Sequence, residues 1–224
     1  MGVGNFFLLS QLTAFILSFI LSFFIFIPMS INLKEFSGNC LLHATGRWEN
    51  DSQVGSVDWG PNSACNFSVF MGIIIMMLTL FYGILYFLYL ARDSDSSWLE
   101  AFITTIVAIV VTLMLFASAV TVSVGLKTWC DFLTGSSSQI VSCDLAEFIP
   151  FTRELAGINS SNFYSEMKMV EFGSWTSFLC WLFLAITSVV KIIKFQQHET
   201  FMSSMNRERQ RLLQKVGHGE NYNV

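Results

Sequence analysis

Four long apolar runs constrain this chain more than any other feature. Residues 6–29, FFLLSQLTAFILSFILSFFIFIPM, carry no charge over 24 positions, and comparable runs cover about 67–91, 98–126 and 172–195. A helix needs ~20 apolar residues to cross a ~30 Å hydrocarbon core, so each run is long enough to span a membrane. With 53% hydrophobic and 12% charged residues, and 23 Phe, the 224-residue chain holds more apolar surface than one water-soluble core hides. The first run reads as a span rather than a cleaved signal: it is too long, no basic segment precedes it, and no A-x-A-like site follows.

The segments between the runs set the orientation. Residues 36–68, FSGNCLLHATGRWENDSQVGSVDWGPNSACNFS, hold Cys40, Cys65 and the sequons at Asn50 and Asn66. A second long loop holds Cys130, Cys143 and the sequon at Asn159. Paired thiols and glycan acceptors belong in an oxidising compartment, which predicts that loops 30–66 and 127–171 are extracellular and both termini cytoplasmic. Asn50 and Asn159 are the predicted acceptors; Asn66 abuts the second span too closely. Charge agrees: the two loops hold five Lys/Arg against ten acidic residues, the remainder seven against six. Four external thiols allow three connectivities. One bridge within each loop is expected, with bridges between the loops as the alternative. Cys180, inside a span, reads as a packing residue.

Local patterns add detail. CLLHATGRW and QVGSVDW flank the turn-like Glu49–Ser52 cluster and predict a short antiparallel hairpin. Ser97-Trp98-Leu99-Glu100 matches a capping box, which starts the third helix at Trp98. The six-residue link RDSDSS makes the second and third spans antiparallel neighbours. Small and polar residues share one face of each helix: Gln11, Ala14, Ser18 and Ser22 in the first, Thr104, Ala108 and Thr112 in the third, Gly173 and Ser177 in the fourth. These are helix-packing faces. Tyr82, Tyr86 and Tyr89, and Trp129 at the opposite side, are expected at the membrane interfaces. Residues 201–224 read as a cytoplasmic tail in which Phe201, Met205, Leu212 and Val216 stripe a short amphipathic helix for the inner leaflet or a partner, with a solvated or frayed tail as the alternative.

Several activities lack their residues. No nucleophile–base arrangement, H-E-x-x-H, Gly-rich phosphate loop or EF-hand is present, so no catalytic residue, cofactor or metal site is expected. His43, His198 and His218 are scattered, and no cysteine pair has zinc-site spacing. No ionisable side chain lies deep in a span, which argues against an autonomous transporter or channel. The net charge of −4 gives no reason to expect nucleic acid. Tyr222-Asn223-Val224 has the alternation that adds as a strand to a PDZ scaffold.

At FSGNCLL, VDWGP-x-x-AC-x-FS, TVSVGLKTWCD with the following SC, and FY…EFGSWTSFLCW, the chain resembles the transmembrane protein 179 family of four-span membrane proteins. The resemblance runs from the first span through the fourth and leaves out the tail. It implies a structural role for Cys40, Cys65, Cys130 and Cys143, and carries no biochemical activity with it. The expected fold is an all-α membrane protein: a left-handed four-helix transmembrane bundle of claudin-like topology with a small disulfide-stapled extracellular cap containing short antiparallel β. The W-LW-C-C claudin signature is absent. The leading functional expectation is a plasma-membrane accessory subunit packed against a larger channel, receptor or transporter and in contact with lipids. Its rivals are a self-assembling four-span organiser and a pore-forming homo-oligomer.

Overall fold

In the computed structural model, residues 3–50, 53–92, 98–135, 142–145 and 162–219 are described. The order is α1 (Val3–Glu35), β1 (Cys40–Asn50), β2 (Gln53–Gly60), α2 (Asn62–Arg92), α3 (Trp98–Leu133) and α4 (Phe163–Gly219). All four helices are long and apolar enough to cross a membrane. Each also exceeds the ~20 residues that crossing requires, so the helices continue beyond any bilayer.

Every helix outruns the apolar segment that announced it. Pro28 sits inside α1, which continues to Glu35. A proline removes one backbone donor, a loss that neighbouring helices in a bundle make tolerable. The helix then stops through backbone geometry. Gly38 N–H donates to Leu33 O (2.7 Å) and Ser37 N–H to Lys34 O (3.1 Å), with Ser37 at φ 55°. This is a Schellman-type ending, and it aims the chain into β1. The separate tail helix expected from residue 201 is instead the continuation of α4, because no Gly or Pro between Lys194 and Val216 interrupts it.

β1 and β2 pair antiparallel, the two-stranded sheet expected from the sequence. The register slips between Cys40↔Gly60 and Thr45↔Asp58, placing extra residues on β1. Within that irregularity His43 has φ 64°, and Leu41, Leu42 and Ala44 are all buried. Regular alternation would turn one of the two leucines outward; the bulge lets both face the core. The sheet lies on the end of α3, with Leu42 against Gly125 and the ring of Phe132 beside Gly46.

Two disulfides tie this cap down, one within each loop. Cys40–Cys65 joins the start of β1 to the first turns of α2, and Cys130–Cys143 joins the end of α3 to the loop beyond it. With 25 and 13 residues of sequence separation, each contributes roughly 3 kcal/mol on the chain-entropy model.

α1 packs broadly on α2 and α4, and α3 packs as broadly on α4, whereas α2 and α3 meet more narrowly. They are antiparallel neighbours, joined by a Ser118–Ser68 hydroxyl contact (3.4 Å) near the cap. At the other end the Tyr89 hydroxyl donates to Glu100 Oε2 (2.7 Å). The short link brings the two helices together, but the wide interfaces form where small residues allow close approach.

Candidate functional site

Two places concentrate the interactions that give this molecule a defined shape: the centre of the bundle and the root of the cap. In the centre, Gly72 of α2 and Gly173 of α4 close on α1 at the same level. A Cβ at Gly72 would lie 2.8 Å from Phe26 Cβ and 3.3 Å from Ile25 Cγ2. One at Gly173 would lie 3.1 Å from Phe24 Cβ and 3.2 Å from Ile25 Cγ1. Lipid removes the hydrophobic drive between helices, so van der Waals contact at such approaches carries the association.

Further along α1, Phe15 fills the middle. Its ring centroid lies 5.7 Å from Tyr82, 5.3 Å from Tyr86 and 6.1 Å from Trp181. Tyr82 and Tyr86 are therefore core residues, not the interfacial anchors expected from their position; their rings pack inward on Phe15. Gln11 Nε2 donates to Thr187 Oγ1 (3.3 Å), an amide–hydroxyl bond between α1 and α4. The Trp175 indole N–H donates to Ser123 Oγ (3.0 Å) and links α4 to α3.

Gln11, Ser18, Ala108, Thr112, Gly173 and Ser177 are all buried. So are Ala14, Ser22 and Thr104. Two of these hydroxyls bond their own helix, Thr112 Oγ1 donating to Ala108 O (2.6 Å) and Ser22 Oγ to Phe19 O (2.6 Å), whereas Ser18 and Ser177 Oγ are buried with no hydrogen-bond partner. Phe15 and Trp181 are the residues that the sequence reading missed, although their spacing carries them: Phe15 lies four residues after Gln11 and three before Ser18, and Trp181 four after Ser177, on the same helix faces.

At the cap root, Trp129 is 1% exposed instead of lying at the interface. It stacks on Trp59 of β2, centroids 6.4 Å apart at 25°, and packs on Phe132. Phe36 meets both Trp59 and Phe163 edge-on, so α1, β2, α3 and α4 converge through their rings. The Trp48 indole N–H donates to Phe132 O (3.4 Å), and Asn62 Oδ1 accepts from Cys40 N–H (3.1 Å). If the cap stands in water, the hydrophobic effect acts here in full, about 1.5–3 kcal/mol per buried large side chain.

The other side of the hairpin is polar. Thr45 and Arg47 are exposed on β1, opposite the exposed Asp58 and Ser56 of β2. Asn50 ends β1 at the hairpin turn, and Asn66 lies within α2 beside disulfide-bonded Cys65. Asn159 and the C-terminal Tyr222–Val224 are outside the described residues. Among the described residues, no three His, Cys, Asp or Glu side chains converge in a metal-binding group.

Four apolar helices with a disulfide-tied hairpin seated on one end define a claudin-like tetraspan membrane protein. A family model described as the transmembrane protein 179/179B claudin domain matches residues 7–213, nearly the whole chain. The chain belongs to that family. No solved structure matches it.

Proposed function

We propose that this protein is a non-enzymatic accessory subunit of a larger multi-pass channel, receptor or transporter. In this reading it sits in the plasma membrane with both termini in the cytoplasm. The hairpin cap stands outside and carries glycans at Asn50 and Asn159, and Val224 offers a carboxylate to a PDZ scaffold. One observation carries the reading: the hairpin has two unlike faces. Trp48, Val54 and Trp59 pack against the bundle, while Thr45, Arg47, Ser56 and Asp58 form a polar strand face exposed to solvent. A face tied down by the Cys40–Cys65 disulfide and a ring cluster presents its side chains with little ordering cost on binding.

Gentle detergent extraction with mass spectrometry of co-purifying proteins tests it. A polytopic partner in stoichiometric amount, weakened by Arg47→Glu or Asp58→Lys, supports the proposal. Self-association alone favours a stand-alone organiser, and currents from purified protein in bilayers favour a pore.

A further inference from the structure

Beyond the apolar run that ends near residue 195, α4 continues without a break to Gly219. Every residue from Phe201 to Arg211 is exposed, so the bundle leaves this stretch uncovered. Helical spacing sorts its side chains. Phe201, Met202 and Met205 share a face about 120° wide with the positions of Leu212, Leu213 and Val216. The two apolar groups lie roughly 16 Å apart along the helix. Between them come Arg207, Arg209 and Arg211, against one acidic residue, Glu208. Among the described residues, none of the three arginines is in an ion pair.

Charge and length decide what covers this face. Lys191 and Lys194 close the apolar run, and Arg209 follows Lys194 by 15 residues, about 22 Å of helix. That is more than twice the Debye length of ~8 Å, so an uninterrupted α4 carries the arginines out of reach of a lipid surface. The inner leaflet is therefore the wrong partner. A second copy fits no better. Two copies in one membrane would pair these helices in parallel, and Arg209 falls within the apolar face, so Arg209 would be buried against Arg209. Whatever covers this face must bring carboxylates as well as apolar surface.

We propose that residues 201–216 are a docking helix for an acidic cytosolic protein with two apolar grooves, the chemistry of a calcium-loaded, two-lobed EF-hand sensor. Calcium opens a Met-rich apolar groove in such a lobe, and an amphipathic helix lays its apolar face into it. One groove takes Phe201, Met202 and Met205, the other takes the Leu212–Val216 end, and acidic rims meet the arginines between. This docking rests on the accessory-subunit reading only in having the C-terminal end of α4 in the cytoplasm. Binding to the purified chain is measured whichever way the chain faces, so its failure leaves that reading standing.

The test titrates the full chain, held in phosphatidylcholine nanodiscs, with calmodulin as the probe and calorimetry as the readout. One calmodulin per chain is expected with calcium, and binding roughly 100-fold weaker with a chelator. The variants Phe201→Ala/Leu212→Ala and Arg207→Glu/Arg209→Glu/Arg211→Glu are each expected to weaken binding on the order of tenfold or more. Disulfides that stay closed to thiol reagents report that each variant is folded. Affinity should be the same in nanodiscs that contain phosphatidylserine. Absence of calcium-dependent binding overturns the proposal, as does binding unaffected by both variants. Loss of binding on adding phosphatidylserine would put the helix on the leaflet, and self-association through residues 201–216 that shuts out calmodulin would put it on a second copy. Either result overturns the docking.

Discussion

Trp59 on the second strand of the hairpin stacks on Trp129 near the end of α3, their centroids 6.4 Å apart at 25°. This contact joins the cap to the bundle across 70 residues of sequence. Trp129→Ala is expected to cost about 3–5 kcal/mol, as for other buried aromatic truncations. Trp59→Ala, at a half-exposed ring, costs less. A double-mutant cycle measured by unfolding in detergent should give a coupling of about 0.5–1.5 kcal/mol between them. A coupling of zero means that this stack does not hold the cap on the bundle.

Gly72, Gly83 and Gly173, on α2 and α4, should respond differently to the same methyl group. Gly72→Ala forces a contact of 2.8 Å with Phe26 and Gly173→Ala one of 3.1 Å with Phe24, whereas Gly83→Ala meets open space. Alanine gains up to about 1 kcal/mol of helix propensity at each position. Overpacking costs about 1–3 kcal/mol at Gly72, less at Gly173 and nothing at Gly83. Thermal unfolding should therefore rank Gly83→Ala highest and Gly72→Ala lowest, and equal midpoints would contradict the clamp on Ile25.

Thiol counting checks the covalent frame. Cys180 is the one free cysteine, with the other four in two bridges. Maleimide on denatured, unreduced protein should add one label, none in Cys180→Ala, and five after reduction of the unaltered chain. Paired replacement of Cys40 and Cys65 by serine should lower stability by roughly 3 kcal/mol. Under the alternative pairing between loops, the same double replacement would expose two further thiols in place of none.

The sequons divide by their backbone. Asn50 stands at the hairpin turn, while Asn66 is helical and is followed by the buried Ser68 of its own sequon. Glycosidase treatment should shift the unaltered chain, and less so Asn50→Gln, while Asn66→Gln should migrate as the parent does. A glycan lost with Asn66→Gln would place the start of α2 farther from the membrane than the fold implies.

The features legible in the sequence are the periodic and local ones. The 3.6-residue period groups Gln11 with Ser18 on α1 and Ala108 with Thr112 on α3, and all four are buried. The two strands predicted on either side of the Glu49–Ser52 cluster pair antiparallel, while Ser97 of the S-x-x-E pattern lies outside the described residues. What escaped depends on distant parts of the chain. Trp129, Tyr82 and Tyr86 carry amphipathic rings that suit either an interface or a core. Only the arrival of Trp59 at one and Phe15 at the others decides between them. Helix ends escaped for a related reason: hydropathy marks where lipid begins, not where backbone hydrogen bonding stops. Thus α1 runs to Glu35 past Pro28, and α2 starts at Asn62, well before its apolar run.

The proposed function requires the hairpin to stand on the side of the membrane away from the cytoplasm, and protease protection in sealed endoplasmic-reticulum microsomes tests this best. An epitope inserted at residues 51–52 should survive added protease, while one placed on α4 beyond Phe201 is digested. Digestion of the hairpin epitope with survival of the one on α4 would contradict the orientation, and the glycosylated outer cap with it.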